Sequence, residues 1–261
     1  MAANPVREKW KAGKPTIGCF LGLGSPHVAG LMAHAGYDWL VIETEHNAMD
    51  MAQVEQMLTA IQGTETVPLV RVPPGDKVFI QRALDIGARG VVVPLIKTPE
   101  DAAAVIEATR YPPQGVRGFG PLRASHYNFD MAEYFETANE DVIVVFIIET
   151  KEAVENLEAI AAIPGVDGFF MGQCDLCLSL GLHPLKYNEY PEVAAIIEKT
   201  LHVGQRNRIA TGMNAFSPPD LMKLRDEGHT MLAYGPDYVL LSHAARAGID
   251  LFRKSDGETG S

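Results

Sequence analysis

Short, nearly continuous apolar runs alternate along this chain with longer stretches whose apolar residues recur at helical spacing. The runs occupy residues 17–22, 39–43, 68–72, 90–95, 142–148, 168–171, 209–213 and 230–234. Runs without polar alternation predict strands buried on both faces, as parallel strands covered by helices are, rather than half-exposed antiparallel strands. Helix starts fall just after several of them. Thr98-Pro99-Glu100-Asp101 offers a capping hydroxyl, a proline at the first helical position and acids in the first turn. Thr150-Lys151-Glu152-Ala153 and Ser217-Pro218-Pro219-Asp220 are built similarly. Eight such units predict an α/β fold, a (β/α)8 TIM barrel, in preference to a doubly wound sheet. One connection breaks the rhythm. Residues 111–139 are too long for an ordinary link and hold Gly115, Gly118, Gly120 and three prolines, which predicts a functional loop or a lid.

Composition narrows the picture further. The chain has 261 residues, 47% of them hydrophobic, enough to bury a substantial core in one domain. That domain is expected to span 1–253, with a polar tail over 254–261 expected to be disordered. The longest apolar run, 142–148, is far short of the ~20 residues needed to cross a bilayer, and the amino terminus has no signal-peptide core. A cytoplasmic location without a membrane partner follows as the expectation. Cys19, Cys174 and Cys177 cannot all pair within one chain, which fits reduced thiols. A net charge of -11 leaves no obvious basic face for phosphates, so nucleic acid is set aside and a small molecule is the expected partner.

In such a barrel, residues just past the carboxyl ends of strands converge on one face. Glu149 closes the fifth run and Asp175 follows the sixth. Two hard oxygen donors, with no histidine at ligand spacing, suit magnesium or manganese better than zinc, and a weakly selective site also accepts cobalt. The alternative is that each acid caps the helix behind it. After the second run comes Glu43-Thr44-Glu45-His46, where an acid can orient the imidazole as a base near neutral pH; a plain capping or loop histidine is the competing reading. Arg71 closes the third run and needs an anion to offset its burial, either a structural partner or a substrate carboxylate. Cys174-Asp175-Leu176-Cys177 has the C-x-x-C spacing but no second pair, which argues against zinc or redox chemistry. Gly22-Leu23-Gly24-Ser25 lacks a third glycine at dinucleotide spacing and a Gly-Lys-Ser or Gly-Lys-Thr, and the strands supply no lysine for a Schiff base.

These residues, with Leu84-Asp85-Ile86-Gly87-Ala88 and Tyr111-Pro112-Pro113-Gln114-Gly115-Val116-Arg117-Gly118, carry a collinear resemblance over residues 11–249. The chain resembles the class II, pyruvate-dependent aldolases of the HpcH/HpaI family. The resemblance implies a divalent cation (Mg2+, Mn2+ or Co2+) on Glu149 and Asp175, chelated by pyruvate or a related 2-oxo acid, with Arg71 against the ketone oxygen. It implies that His46, in a dyad with Glu43, takes the hydroxyl proton of a 4-hydroxy-2-oxo acid as the C3–C4 bond breaks. It places backbone amides around Gly172 and Asp175 on the substrate carboxylate, Phe20 beside the substrate, and Arg123 and Ser125 near the aldehyde. It further implies homo-oligomers, dimers combined into hexamers with an exchanged last helix, and an acid at the Asp85 position that reaches a neighbour's site.

The chain departs from the family pattern at Glu43 (usually aspartate), Phe20 (usually tryptophan), Ile147 (usually glutamine) and Gly172-Gln173-Cys174 (usually Gly-Pro before the metal aspartate). Lyase chemistry is the leading expectation. Decarboxylation of oxaloacetate, or use of the enolate on another electrophile, is the alternative, and a silent 2-oxo-acid-binding barrel is the third.

Overall fold

The computed structural model describes residues 4–255. Among them lie nine strands: β1 (Thr16–Leu21), β2 (Trp39–Glu43), β3 (Val67–Arg71), β4 (Gly90–Val93), β5 (Ile143–Ile148), β6 (Gly168–Met171), β7 (Ala210–Gly212), β8 (Asn214–Ala215) and β9 (Met231–Tyr234). All pairings are parallel, in the order β7-β6-β5-β4-β3-β2-β1-β9-β8. Because β7 pairs with β6 while β8 pairs with β9, the unbroken chain from β7 into β8 brings the two ends of the sheet together as a nearly closed (β/α)8 TIM barrel. The seventh predicted run is thus two short strands that change partner at Met213. Gly212 sits at that step, where a Cβ would run into the backbone of Met231.

Two apolar layers hold the barrel. Inside it, Phe20, Trp39, Val41, Leu69, Val145 and Ile147 form part of one buried cluster. The opposite faces of the same strands, with residues such as Leu40, Ile42, Val144, Phe146 and Ile148, pack outward against the helices. Parity therefore decides what reaches the barrel mouth. Counting inward residues by twos leads to Glu43 on β2, Arg71 on β3, Glu149 just past β5, Gly172 just past β6 and Asn214 on β8.

The helix starts follow the sequence reading. Thr98 and Asp101 form a reciprocal capping box, Thr150 accepts from the Ala153 amide, and Ser217 accepts from the Asp220 amide. The long excursion differs from expectation. Asn139 ties its two ends together, accepting from the Tyr111 amide at 2.7 Å and donating to the Tyr111 carbonyl at 3.0 Å. The guanidinium of Arg117, shut off from solvent, reaches Asp85 at 2.7 Å and the Tyr134 hydroxyl at 2.9 Å and lies over the Tyr111 ring. Pinned in this way against the flank of the barrel, the excursion puts no residue on the wall of the cavity at the barrel mouth. The last helix, Asp237–Ser255, runs past the expected boundary at 253, and the rest of the tail lies outside the described residues. No described helix is long and apolar enough to cross a membrane.

His229, just before β9, is buried, with Nδ1 3.1 Å from the Thr211 hydroxyl. Burial pushes its imidazole below the ordinary range, against an opposing pull from Glu227. The folded state keeps the ring neutral while the unfolded chain protonates near pH ~6.5, so stability falls as pH drops below that value. His229→Gln is expected to flatten the loss of thermal stability between neutral pH and pH ~5.5. Equal slopes for the two proteins in a thermal-melt series would contradict this.

Candidate active site

The carboxyl ends of the strands surround a cavity of about 420 Å³, and its wall includes Phe20, Glu43, His46, Arg71, Ile147, Glu149, Gly172, Asp175 and Asn214. Register places Glu43 and Arg71 opposite one another on β2 and β3, and Arg71 Nη1 donates to Glu43 Oε2 at 3.1 Å. The other terminal nitrogen, Nη2, pairs with Glu45 Oε2 and lies 4.0 Å from Glu149 Oε2. One largely buried guanidinium thus faces three carboxylates.

The acid that meets the His46 ring is Glu45. Its Oε2 is 3.4 Å from His46 Nε2, whereas Glu43 Oε1 accepts backbone N–H groups from Glu45 at 2.7 Å and His46 at 3.2 Å. Glu43 therefore shapes the turn that carries the histidine, and the expected dyad of Glu43 with the ring is replaced by Glu45. His46 itself is exposed at the cavity. Burial is the main cause that raises Glu45 above the usual carboxylate range, with Arg71 and His46 opposing it.

Glu149 is buried, and Leu95 donates its backbone N–H to Glu149 Oε1 at 2.7 Å. Leu95 adopts a left-handed backbone, φ 55°, to aim that amide. Burial pushes the Glu149 carboxyl up to about 7; the Leu95 amide and Arg71 lower it, and Glu45 and Asp175 raise it. The helix behind Glu149 is capped by Thr150, and the side chain of Asp175 makes no cap bond to its helix Gln173–Ser179, so neither acid has the capping role. Gly172 keeps the wall open between them. A Cβ there would lie 2.7 Å from Glu149 Cβ, 2.9 Å from its Oε2 and 3.0 Å from Ile147 Cγ2.

This donor set fits a divalent cation. Desolvated carboxylates outnumber the single guanidinium, the donors are all oxygen, and the cavity leaves room for substrate and water as further ligands. Among the described residues no group of three or more His, Cys, Asp or Glu is placed to hold a metal ion by itself. Cys174 stands exposed on the cavity wall while Cys177 and Cys19 are buried; all three are free. Burial raises each thiol, Cys19 up to about 12.

Phe20 lines the cavity, tilted on Phe170 with ring centroids 5.1 Å apart. Three other residues named from the sequence stand elsewhere in this chain. Asp85 is paired with Arg117. Arg123 donates to the Ile86 carbonyl, Thr59 and Gln62, and Ser125 is fully buried with its hydroxyl on the Leu122 carbonyl. Conversely, Asp237, Tyr238 and Asn214 escaped the sequence reading. The Asp237 carboxylate accepts the amides of Gly22 at 2.8 Å and Leu23 at 3.2 Å, pinning the first loop, and Tyr238 closes over Gly22. Inward parity extended one residue past the seventh run would have found Asn214.

In sequence and in fold the chain is similar to known proteins. Residues 16–244 match the family model described as HpcH/HpaI aldolase/citrate lyase. The chain is 37% identical to a hydroxypyruvate/pyruvate aldolase of Deinococcus radiodurans, over 94% of this chain and 88% of that protein. It is 32% identical to a 5-keto-4-deoxy-D-glucarate aldolase of Escherichia coli, over 96% and 97% of the two chains. A crystal structure of an HpcH/HpaI aldolase/citrate lyase family protein from Burkholderia cenocepacia superposes with a TM-score of 0.89 at 35% identity, covering 96% of this chain and all of that one.

The close approach at Gly172 generates a direct check. Gly172→Ala is expected to displace Glu149 and weaken Mn2+ binding roughly 10- to 100-fold, the usual range for groups that orient a metal ligand, without unfolding the barrel. Calorimetric titration with the cation reads this, and unchanged affinity would refute the assigned role of the glycine.

Proposed function

The chain belongs to the HpcH/HpaI aldolase/citrate lyase family and is a class II aldolase, a carbon–carbon lyase, and from that premise we propose how its cavity works. Its substrates are 4-hydroxy-2-oxo acids, cleaved to pyruvate or hydroxypyruvate and an aldehyde, or formed from them. Glu149 and Asp175 hold a divalent cation, Mg2+, Mn2+ or Co2+, which when bound supplies Lewis-acid polarisation of the 2-oxo acid. The observation that carries this reading is the meeting of Glu149, Arg71 and Asp175 on one cavity wall, with a 4.0 Å approach between the guanidinium and a desolvated carboxylate.

Arg71 is held by Glu43 and Glu45 with its terminal nitrogens toward Glu149, so it lies against the 2-oxo oxygen. Negative charge grows on that oxygen as the C3–C4 electron pair moves toward the enolate, and a fixed guanidinium stabilises it without reorganising. His46, whose Nε2 faces Glu45 Oε2 at 3.4 Å, takes the proton of the C4 hydroxyl on its other ring nitrogen, Nδ1, as that hydroxyl becomes the aldehyde carbonyl, and Glu45 stabilises the imidazolium so formed. Backbone amides at Gly172 and Asp175 orient the substrate carboxylate. Phe20, Phe170 and Ile147 provide apolar wall that limits water around the reacting carbons. The decarboxylase alternative is not favoured, since relatives at 32–37% identity are named aldolases.

Assembly into homo-oligomers built from dimers belongs to the same reading. Exposed Leu241, Ile249 and Leu251 on the helix Asp237–Ser255 support it. Free thiols support a cytoplasmic setting.

Protein stripped with a chelator is expected to lose pyruvate release from 4-hydroxy-2-oxo acids and to regain it with Mg2+, Mn2+ or Co2+. Turnover that persists without metal would overturn the reading. Glu149→Gln should abolish metal-dependent turnover in a folded protein. His46→Ala should retain cation and 2-oxo acid binding while retro-aldol turnover drops roughly 10²- to 10⁴-fold, the usual contribution of a general base. Full activity in that variant would remove His46 from its role.

A further inference from the structure

Asn214, on the short strand β8, is the inward-facing residue two positions beyond Gly212, and it shares the wall of the barrel-mouth cavity with Phe20 and Phe170. It lines the catalytic cavity, yet its Oδ1 is shut off from solvent and no described residue donates to it. Buried amide oxygens are normally satisfied, so an orphaned one on the wall of a substrate cavity calls for a partner that arrives with the substrate. We propose that Asn214 is a specificity-determining residue that recognises a hydroxyl group on the substrate. This rests on the aldolase reading above and deepens it.

The chemistry narrows the ligand group. A 2-oxo acid and an aldehyde bring carboxylate and carbonyl oxygens, which only accept, and hydroxyls, which both donate and accept. Facing the orphaned Oδ1, a carboxylate or carbonyl would set lone pair against lone pair. A hydroxyl can donate to Oδ1 as the amide stands. Such a hydroxyl has two sources: C3 of the enolate-forming partner, or the carbon beside the aldehyde group.

Two arms separate these sources. In one, hydroxypyruvate is compared with pyruvate against a fixed aldehyde; in the other, glycolaldehyde is compared with acetaldehyde against a fixed 2-oxo acid. The metal-loaded wild-type protein is expected to favour the hydroxylated compound in one arm. Asn214→Leu should reduce that ratio of kcat/KM about tenfold, the weight of one neutral hydrogen bond. Asn214→Ala serves if leucine does not fit. Should a folded variant lose turnover altogether, its calorimetric affinities for the compounds of both arms give the same ratios. Ratios unmoved in both arms would overturn the inference while leaving the aldolase reading standing. Wild-type protein without metal-dependent turnover of any pairing would instead remove that reading and this inference with it.

Discussion

The guanidinium of Arg71 is the charge on which the mouth of this barrel depends. It holds Glu43 and Glu45 directly and lies within 4.0 Å of Glu149, three carboxylates carried by the ends of two strands, β2 and β5. Without it, the buried acids would repel one another and neutralise, because isolated carboxylates are costly in a desolvated wall. With it, they stand close but remain in excess of positive charge. Burial first, and then the neighbouring acids Glu45 and Asp175, raise Glu149 to about 7 against the Leu95 amide and Arg71, and the surplus of carboxylates suits the wall to a divalent cation.

The same interaction explains how local sequence becomes chemistry. Glu43 and Arg71 meet because β2 and β3 are in register, and inward parity carries both to the mouth. Glu43 then spends its other oxygen on the amides that form the turn, and the turn presents Glu45 and His46. The ring's acidic neighbour in this chain is therefore Glu45, two residues beyond Glu43. Gly172 and the left-handed Leu95 do the equivalent work around Glu149, one by keeping space open and the other by aiming a donor.

Much of the fold was legible in the sequence because most strands lie in apolar runs and several of the following helices, those starting after Thr98, Thr150 and Ser217 among them, begin with a side-chain cap. Glu149, Asp175, Arg71 and His46 were legible for the same reason: a polar residue ending a buried run marks the mouth. What was not legible depends on contacts between distant parts of the chain. Asp237 reaches Gly22 across the sequence, and the seventh strand changes partner at a glycine step that no periodicity announces. The long excursion carries the glycines and prolines of a mobile loop, yet Asn139 and Arg117 pin it to the barrel flank. Those bonds also keep Asp85 away from its own chain's cavity.

Glu149 and Asp175 would hold the divalent cation, with the 2-oxo acid bound beside Arg71. Anomalous diffraction from crystals soaked with Mn2+ and pyruvate addresses this placement most directly. A manganese peak at Glu149 and Asp175, with a 2-oxo oxygen within hydrogen-bond distance of the Arg71 guanidinium, is expected. A peak elsewhere, or pyruvate bound away from Arg71, would contradict it.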